Sequence, residues 1–489
     1  MKLNILILII VATCIAAFAD IKTTTRNSNI NKSNKLNIRK KHDLFLSASS
    51  NDISIEAKAS SVTKKGGDAT IAVSTFNLAK SIVGAGVLSL PSGIAFFADS
   101  PSAVIPASII CAVMGIVSAY SFSLIGKACE QHNASSFQDA WAKSVDPNSA
   151  WIISAGITAM CFLASLAYSI IIGDSFTSLA TTFNFPAFFA QRTNVILAIS
   201  ASVLLPLCSM KSLSALAPFS LLGLGGTLYT AIVMAVRYLD GSYNSGGKFF
   251  QAMALASRPV FNSKGTTALL SSKLFVLVSM LSTSFIAHYN APAFYNELKD
   301  TSMPRFNKVV SYAFFASIAT FIFMMSVGFL TFGGATAGFV LNNYSGSDSL
   351  ITFARLAIGL ALLTGYPFTF SALRDGILDL KKVSGEDRSK AFQPFTFGLL
   401  GVITAIAIVL KDVGFVVSVS GALFGSALMF VVPAVMNIKN LKSIADKAKS
   451  QLSSNNKLEI AFNWGMIVTG IVMGGLGIVI STLRQMGKM

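Results

Sequence analysis

Long apolar runs recur along this chain from about residue 69 to residue 483, and they constrain its fold more than any other feature. Each is about as long as the ~20 helical residues that cross a ~30 Å hydrocarbon core. They lack the alternating ten-residue pattern of a membrane barrel, and lipid offers unpaired backbone groups no partner. The runs predict an all-α integral membrane domain over 69–483 with about eleven transmembrane helices, at 69–97, 103–125, 149–172, 193–209, 213–236, 270–294, 308–331, 349–373, 393–411, 413–436 and 461–483.

The composition agrees with a membrane protein and excludes several other classes. Of the 489 residues, 53% are hydrophobic and only 12% are charged, about half the ~25% charged share of soluble proteins. A net charge of +17 would suggest a nucleic-acid partner in a soluble chain. Many of these bases lie in the first 68 residues or beside apolar runs, so no nucleic-acid partner is expected. Five cysteines without paired spacing and three histidines predict neither a metal site nor a cofactor. No loop is long enough for a catalytic domain, so we expect no enzyme.

The first 68 residues differ from the rest of the chain. Residues 1–19 combine Lys2, an apolar core and a small-residue end, which is the layout of a signal peptide or an uncleaved signal anchor. Residues 20–68 are polar and basic, and such a composition does not form a packed core. Together they resemble the two-part presequence of plastid proteins, in which an aromatic residue, Phe18 here, follows the cleavage point. This favours the plastid envelope, while a vacuolar, other endomembrane or plasma-membrane location stays open.

The bases beside the apolar runs predict the orientation of the domain. Loops on the side of residue 68 hold more Lys and Arg than loops on the opposite side, so residue 68 is expected on the cytoplasm-like side. A glycosylation sequon, Asn343-Tyr344-Ser345, would then lie on the far side. Between the second and third runs, residues 134–144 predict a short amphipathic helix.

Two of the runs carry residues that interrupt helices. In the first, Gly84, Gly86 and Pro91 allow the backbone to leave helical geometry. An opened helix exposes amide donors at the start of its second half, where the dipole favours an anion such as a carboxylate. Five runs later, residues 282–292 form a polar interruption that ends in Pro292. Matching interruptions in two five-helix halves predict a 5+5 inverted repeat with a midplane binding site. The alternative for the glycines is close helix packing alone.

Ionisable side chains inside the runs are few. No acidic residue lies in the interior of a run, and the two most deeply placed ionisable residues are Lys80 and His288. Such groups are costly in lipid and are functional candidates for that reason. The alternative for Lys80 is that its side chain extends along the helix to the interface. The alternative for His288 is a hydrogen bond that bridges to neighbouring helices.

Several motifs resemble the amino acid/auxin permease family of transmembrane amino acid transporters. Residues 77–91 are similar to the first-helix signature of that family, and 285–290 with 295–298 are similar to its sixth helix. Residues 328–333 match the end of its seventh helix, and the resemblance extends from about residue 70 to residue 483. It implies a leucine-transporter-type fold in which helices 1 and 6 are broken and alternating access takes place around a midplane site.

The resemblance also implies site residues. The backbone of the broken first helix would receive the substrate carboxylate, and two residues of the sixth helix would lie near the substrate. The implied substrate-binding residues are Val83, Gly84, Ala85, Gly86, Phe285 and His288. The implied ion-coupling residues are Lys80, Thr364 and His288.

These features predict a secondary active transporter of amino acids, with an amino acid, a coupling ion and the lipid bilayer as partners. A neutral substrate is expected because no acidic residue is placed to pair with a cationic side chain. An ammonium such as that of Lys80 would repel sodium in a low dielectric, which favours proton coupling or sodium-independent transport. A sodium-coupled symporter and a permease-like amino acid sensor are the alternatives.

Overall fold

The computed structural model describes residues 67–210, 220–262, 271–449 and 451–487. The predicted signal segment, 1–19, and nearly all of the predicted polar leader, 20–68, lie outside the described residues. Within the described ranges the chain is helical, as predicted, and it contains no strand longer than an isolated bridge.

In the described residues 67–210 and 220–262, the first half of the domain contains nine helices, two of them a single turn long. They are α1 Ile71–Ile82, α2 Leu90–Phe97, α3 Val104–His132, α4 Phe137–Ser144, α5 Trp151–Thr182, α6 Ala187–Ala190, α7 Arg192–Ile199, α8 Leu205–Cys208 and α9 Ser220–Leu239. A π-helical turn, Ser200–Leu204, joins α7 to α8. Helix α4 confirms the short helix predicted at 134–144, and its N-cap Ser136 accepts a hydrogen bond from the Asp139 amide.

The second half contains eight helices in the described residues from 271 to 487. They are α10 Leu274–Phe285, α11 Ala291–Glu297, α12 Met303–Phe332, α13 Ser349–Leu380, α14 Gly385–Val409, α15 Val413–Ser420, α16 Val432–Lys447 and α17 Ser454–Gln485. Two π-helical segments, Gly421–Gly425 and Ala427–Val431, connect α15 to α16.

Among the described residues, eight helical segments are long and apolar enough to cross a membrane, and a bent pair would make nine. The bent pair joins Ile71–Ile82 to Gly86–Phe97 at 41° and coincides with the first predicted run. Arg192–Cys208, at the fourth run, is a shorter apolar helix. A multi-pass membrane domain is therefore confirmed. The number eleven remains a prediction, although each predicted run contains a helix.

Both predicted helix breaks are present. Helix α1 ends at Ile82, Gly84 is extended at φ −99° and ψ −175°, and a 3₁₀ helix, Ala85–Ser89, leads into α2. Helix α10 ends at Phe285, and a 3₁₀ turn, His288–Asn290, precedes α11. Gly84 has a negative φ in the extended region, so this break does not depend on the left-handed conformations open to glycine.

Close packing of helices uses small residues at several crossings. A Cβ on Gly226 of α9 would lie 3.3 Å from Ala357 of α13, and a Cβ on Gly470 of α17 would lie 2.9 Å from Phe430. A Cβ on Gly474 of the same helix would lie 2.9 Å from the Ala422 carbonyl oxygen, so the small residues of α17 face the interior of the bundle.

A buried ion pair ties the end of α9 to the start of α13. Asp348 caps α13 and receives two hydrogen bonds of 2.8 Å from Arg237 and one of 3.0 Å from the Tyr243 hydroxyl. Burial, together with the carboxylate of Asp348, raises the pKa of Tyr243 above its usual range, which keeps the hydroxyl protonated and able to donate.

The same region weighs against glycosylation at the predicted sequon. Asn343 is 2% exposed. Its Oδ1 accepts from the Ala337 amide at 2.7 Å, and its Nδ2 donates to the Ala335 carbonyl at 2.8 Å. A glycan on Nδ2 would need that nitrogen at the surface, and the fold instead uses the side chain to hold its own loop.

Candidate functional site

The broken first helix borders a cavity of about 150 Å³, called the Lys80 cavity below. Four helical segments contribute to its wall: the end of α1 with the residues that follow it, and parts of α5, α9 and α13. The lining residues are Lys80, Val83, Gly84, Tyr168, Gly223, Leu224, Thr227, Ile358, Ala361, Leu362 and Gly365.

Small residues create much of this space. A Cβ added to Gly84 or to Gly365 would meet no heavy atom within 4 Å, so both glycines leave open volume beside the helix break. Gly223 allows α9 to approach α13, since its added Cβ would lie 3.6 Å from Ala361. Larger side chains at these positions would project into the cavity or separate its walls.

The amides at the break are not equally available. The Val83 amide donates to the Ala79 carbonyl at 2.8 Å, and the Gly84 amide donates to the Ile82 carbonyl at 2.9 Å. Ala85 and Gly86 begin the 3₁₀ helix, and the first N–H groups of a helix have no acceptor within it. Of the four predicted carboxylate-binding positions, the last two therefore carry the donors best suited to an anion.

The two helix breaks lie beside each other. The Nδ2 of Asn290, in the 3₁₀ turn before α11, donates to the Ser81 hydroxyl at 3.2 Å. A Cβ on Gly86 would lie 3.6 Å from the hydroxyl oxygen of Ser284, near the end of α10. The interruptions thus meet at one place in the bundle, as an inverted repeat with a shared site requires.

Lys80 lies in the last turn of α1 and lines the cavity. At the C-terminal end of a helix the backbone dipole favours a positive charge, so this position suits a protonated amine. Among the described residues that line the cavity, Lys80 is the only charged one.

The two site residues predicted in the sixth apolar run, Phe285 and His288, point away from the Lys80 cavity. His288 is buried, and its Nε2 lies 2.8 Å from the Ser121 hydroxyl and 3.2 Å from the Ser118 carbonyl of α3. Phe285 packs on Phe314 and Phe321 of α12, with ring centroids 6.3 and 4.7 Å away. Neither residue lines the Lys80 cavity. The contacts of His288 agree with a bridge between helices, and the binding roles of both residues stay predictions.

Thr364 lies on α13 between two cavity-lining residues, Ala361 and Gly365, without lining the cavity itself. Its hydroxyl donates to carbonyls of its own helix, Leu360 at 3.0 Å and Ala361 at 3.1 Å. Its predicted role in ion coupling remains a prediction.

Two polar residues of the cavity were not predicted from the sequence. Tyr168 of α5 and Thr227 of α9 bring hydroxyl groups to the wall, and Thr227 donates to the Gly223 carbonyl at 3.0 Å. Single hydroxyls are frequent in the apolar runs of this chain, so nothing in the local pattern distinguishes these two.

Comparison with known proteins identifies the family. Residues 67–483 match the family described as transmembrane amino acid transporter protein. The chain belongs to this family. It is accordingly an amino acid transporter in a membrane and not an enzyme, which confirms the resemblance seen in its motifs.

Two similar proteins are also named as amino acid transporters. Sodium-coupled neutral amino acid symporter 2 of Danio rerio is 23% identical over 423 residues, which cover 83% of this chain and 81% of that protein. Vacuolar amino acid transporter 7 of Saccharomyces cerevisiae is 28% identical over 301 residues, covering 62% of this chain and 57% of that protein.

The crystal structure of MhsT in complex with L-phenylalanine superposes with a TM-score of 0.53 at 14% identity, covering 83% of this chain and 98% of that one. Identity this low bears on the fold alone. The fold is of the leucine-transporter type, as predicted.

Proposed function

We propose that this transporter moves neutral amino acids by alternating access around the Lys80 cavity, and that the movement is coupled to protons or is independent of sodium. The single observation that carries the proposal is the position of Lys80, which shares one cavity with the broken first helix. Protonated, its amine attracts the substrate carboxylate and repels a metal cation. Release of that proton removes both effects.

The chemistry of the cavity supports a neutral substrate. At the ~30 Å³ that one water occupies in the liquid, a volume of about 150 Å³ holds about five waters, a space that suits a small amino acid. No Asp or Glu is among the described lining residues, so a cationic side chain would meet no opposite charge. The single lysine can neutralise one carboxylate, which leaves no cation for an acidic side chain.

Sodium coupling is the second candidate, and a specific observation favours it, since the Danio rerio relative is named a sodium-coupled symporter. Its cation site would need oxygen ligands from the broken first helix and from α13, where Thr364 is the predicted contributor. Against this candidate, an ammonium about 4 Å from a sodium ion is repelled by ~4 kcal/mol at an effective dielectric of 20.

The membrane in which the protein works is also a proposal. The base-rich leader supports the plastid envelope, and the yeast relative named as vacuolar supports an endomembrane. Fluorescent tags on the two termini of the full chain separate these locations. If the C-terminal tag stays in plastids while the N-terminal tag is cleaved off, the plastid envelope is supported. If both tags lie on vacuolar membranes, the endomembrane location is supported.

Uptake into proteoliposomes tests the proposed coupling. The purified full chain is reconstituted, and initial uptake of labelled alanine, leucine, lysine and glutamate is measured with and without a pH gradient. Sodium is replaced by choline in a parallel series. We expect a pH gradient to accelerate uptake of alanine or leucine and choline to leave it unchanged. Uptake that disappears in choline would contradict the proposal and support the sodium symporter.

A further inference from the structure

A second cavity, of about 370 Å³, lies apart from the residues of the Lys80 cavity. It is called the Lys127 cavity below, and its walls come from α3, α12 and α17. The lining residues are Ala119, Tyr120, Ser123, Leu124, Lys127, Met303, Asn307, Val310, Ser311 and Glu459.

The cavity lies where three long apolar helices end. Its residues occupy the last turns of α3, which stops at His132, and the first turns of α12, which starts at Met303. Glu459 is in the second turn of α17, which starts at Ser454. Transmembrane helices end near the boundary between hydrocarbon and headgroups, so this cavity is at headgroup depth.

An ion pair forms one wall of the cavity. The Lys127 Nζ lies 3.1 Å from the Glu459 Oε1, which also accepts from the Asn437 Nδ2 at 2.7 Å. An ammonium has three donors, so two remain on Lys127. Among the described residues, Glu459 Oε2 has no hydrogen-bond donor. The pair can therefore receive an anion at the lysine and a hydrogen-bonding cation at the glutamate.

Neutral polar groups line the rest of the space. The Tyr120 hydroxyl accepts from the Asn463 Nδ2 at 3.1 Å, which leaves its own hydrogen to donate. In the part of the chain that the structure describes, the side chains of Ser123, Asn307 and Ser311 have no hydrogen bond to protein. Asn307 and Ser311 are exposed and Ser123 is half-buried, so these side chains are available to a ligand in the cavity.

The rim of the cavity is apolar and faces outward. One turn away from the polar lining, α3 and α12 expose Ile116 at 63% and Phe315 at 75%. Phe462 of α17 packs edge-on against Tyr120 with centroids 5.3 Å apart, and it is half exposed. Hydrocarbon chains can lie along these side chains while a polar group enters the cavity.

We propose that the Lys127 cavity binds the headgroup of a phospholipid that carries a primary amine, with phosphoethanolamine as the best match. The phosphate accepts hydrogen bonds from Lys127 and the Tyr120 hydroxyl, and the ammonium donates to Glu459 Oε2. A trimethylated choline headgroup has no N–H for that carboxylate. An anionic glycerol headgroup brings no cation to it. The acyl chains lie along Ile116 and Phe315.

Thermal unfolding of the purified full chain in detergent tests the proposal. Phosphatidylethanolamine, phosphatidylcholine and phosphatidylglycerol with identical acyl chains are added separately, and soluble phosphoethanolamine forms a fourth arm. We expect phosphatidylethanolamine to raise the unfolding midpoint at least twice as much as the other lipids, because a ligand that binds the folded state stabilises it. Equal shifts from all three lipids, or the same shift from soluble phosphoethanolamine, would overturn the proposal.

Variants locate the effect. Lys127→Met combined with Glu459→Gln removes both charges together, and it should abolish the preference for phosphatidylethanolamine. Lys143→Met with Asp139→Asn removes the exposed 2.8 Å pair of α4 and should retain that preference. Should the first variant fail to fold, native mass spectrometry of the unmodified chain counts retained lipids directly. Retention of phosphatidylethanolamine over the choline lipid supports the site, and equal retention overturns it.

Discussion

The Lys80 cavity and the Lys127 cavity each contain a lysine, but different parts of the fold surround it. Lys80 lies in the last turn of an interrupted helix, among small and apolar residues such as Gly84, Ala361 and Gly365. Lys127 lies on an uninterrupted helix and pairs with Glu459 at 3.1 Å. The first cavity offers space and backbone amides beside its charge, and the second offers side chains of both signs.

This difference suggests two kinds of ligand. A transported substrate must be bound and then released, and an interrupted helix suits this because its backbone donors can move with the two helix halves. A resident ligand needs no such change, and side chains on continuous helices hold their positions. We therefore expect substitutions at Lys80 and its neighbours to change transport, and substitutions at Lys127 to change lipid binding.

The largest effect is expected from Lys80→Met. It removes the positive charge that the proposed substrate carboxylate meets, and a hydrogen bond to a charged group contributes ~1.5–3 kcal/mol. Since 1.4 kcal/mol is tenfold in affinity, uptake at low substrate should fall by about ten- to a hundredfold. The measurement is the initial rate of uptake driven by a pH gradient into proteoliposomes.

Lys273→Met is the matched control for that variant. Lys273 precedes α10 and lies over the Phe96 ring, 5.6 Å from its centroid, outside the Lys80 cavity. A cation–π contact at an exposed site contributes ~0.5–1 kcal/mol, so uptake should stay within about fivefold of the unmodified protein. Equal losses in the two variants would show that Lys80 acts through stability and not through the substrate.

A smaller and more selective effect is expected from Gly84→Ala. The added methyl would project into open space in the Lys80 cavity without a clash, so folding should be unaffected. Filling part of a cavity of about 150 Å³ should raise the KM for leucine more than the KM for alanine. If the added methyl weakens leucine binding by ~1–1.4 kcal/mol, the KM for leucine rises by about five- to tenfold. Gly401→Ala, an exposed glycine of α14 with equally open space, should change neither KM. Identical KM values for leucine in the two variants would place the substrate elsewhere.

The sequence predicted the breaks well because they are local. Pro91 and Pro292 lie in the first turns of α2 and α11, where a missing N–H costs no helical hydrogen bond, so both interruptions could be predicted without knowing the packing. The cavity wall is different, because Tyr168 and Thr227 reach it only through the rotation of α5 and α9 against α1. No periodic pattern within a single apolar helix fixes that rotation.

The surroundings of His288 and Asn343 could not be predicted from the sequence, because they depend on distant contacts. The partners of His288, Ser118 and Ser121, are about 170 residues away along the chain, so its orientation toward α3 depends on tertiary packing. A sequon is a local triplet, whereas the burial of Asn343 depends on the loop that it closes. In both cases the residue type was visible and its surroundings were not.

His288→Gln should affect stability more than coupling. The substitution removes a ring that contacts α3 and lies 5.5 Å from the Phe122 ring, so the free energy of unfolding should fall by ~1–3 kcal/mol. Thermal unfolding in detergent measures that loss, and Ser121→Ala, which removes only the partner hydroxyl, should show a smaller one. The pH dependence of uptake should match that of the unmodified protein. A shifted pH profile with normal stability would instead give His288 the coupling role predicted from its family.

The smallest effect is expected from Thr364→Ala. The hydroxyl of Thr364 already donates to two carbonyls of its own helix, so its removal changes neither the charge nor the lining of the Lys80 cavity. Such back-bonding on a helix makes a small contribution, and uptake should stay within about twofold in sodium and in choline alike. Ser371→Ala is the matched control, because its hydroxyl donates to the Phe368 carbonyl of the same helix at 2.9 Å, farther along α13. If Thr364→Ala lost uptake in sodium but not in choline, and Ser371→Ala did not, Thr364 would be a sodium ligand. Lys80 and a sodium site would then coexist in one protein, against the proposed coupling.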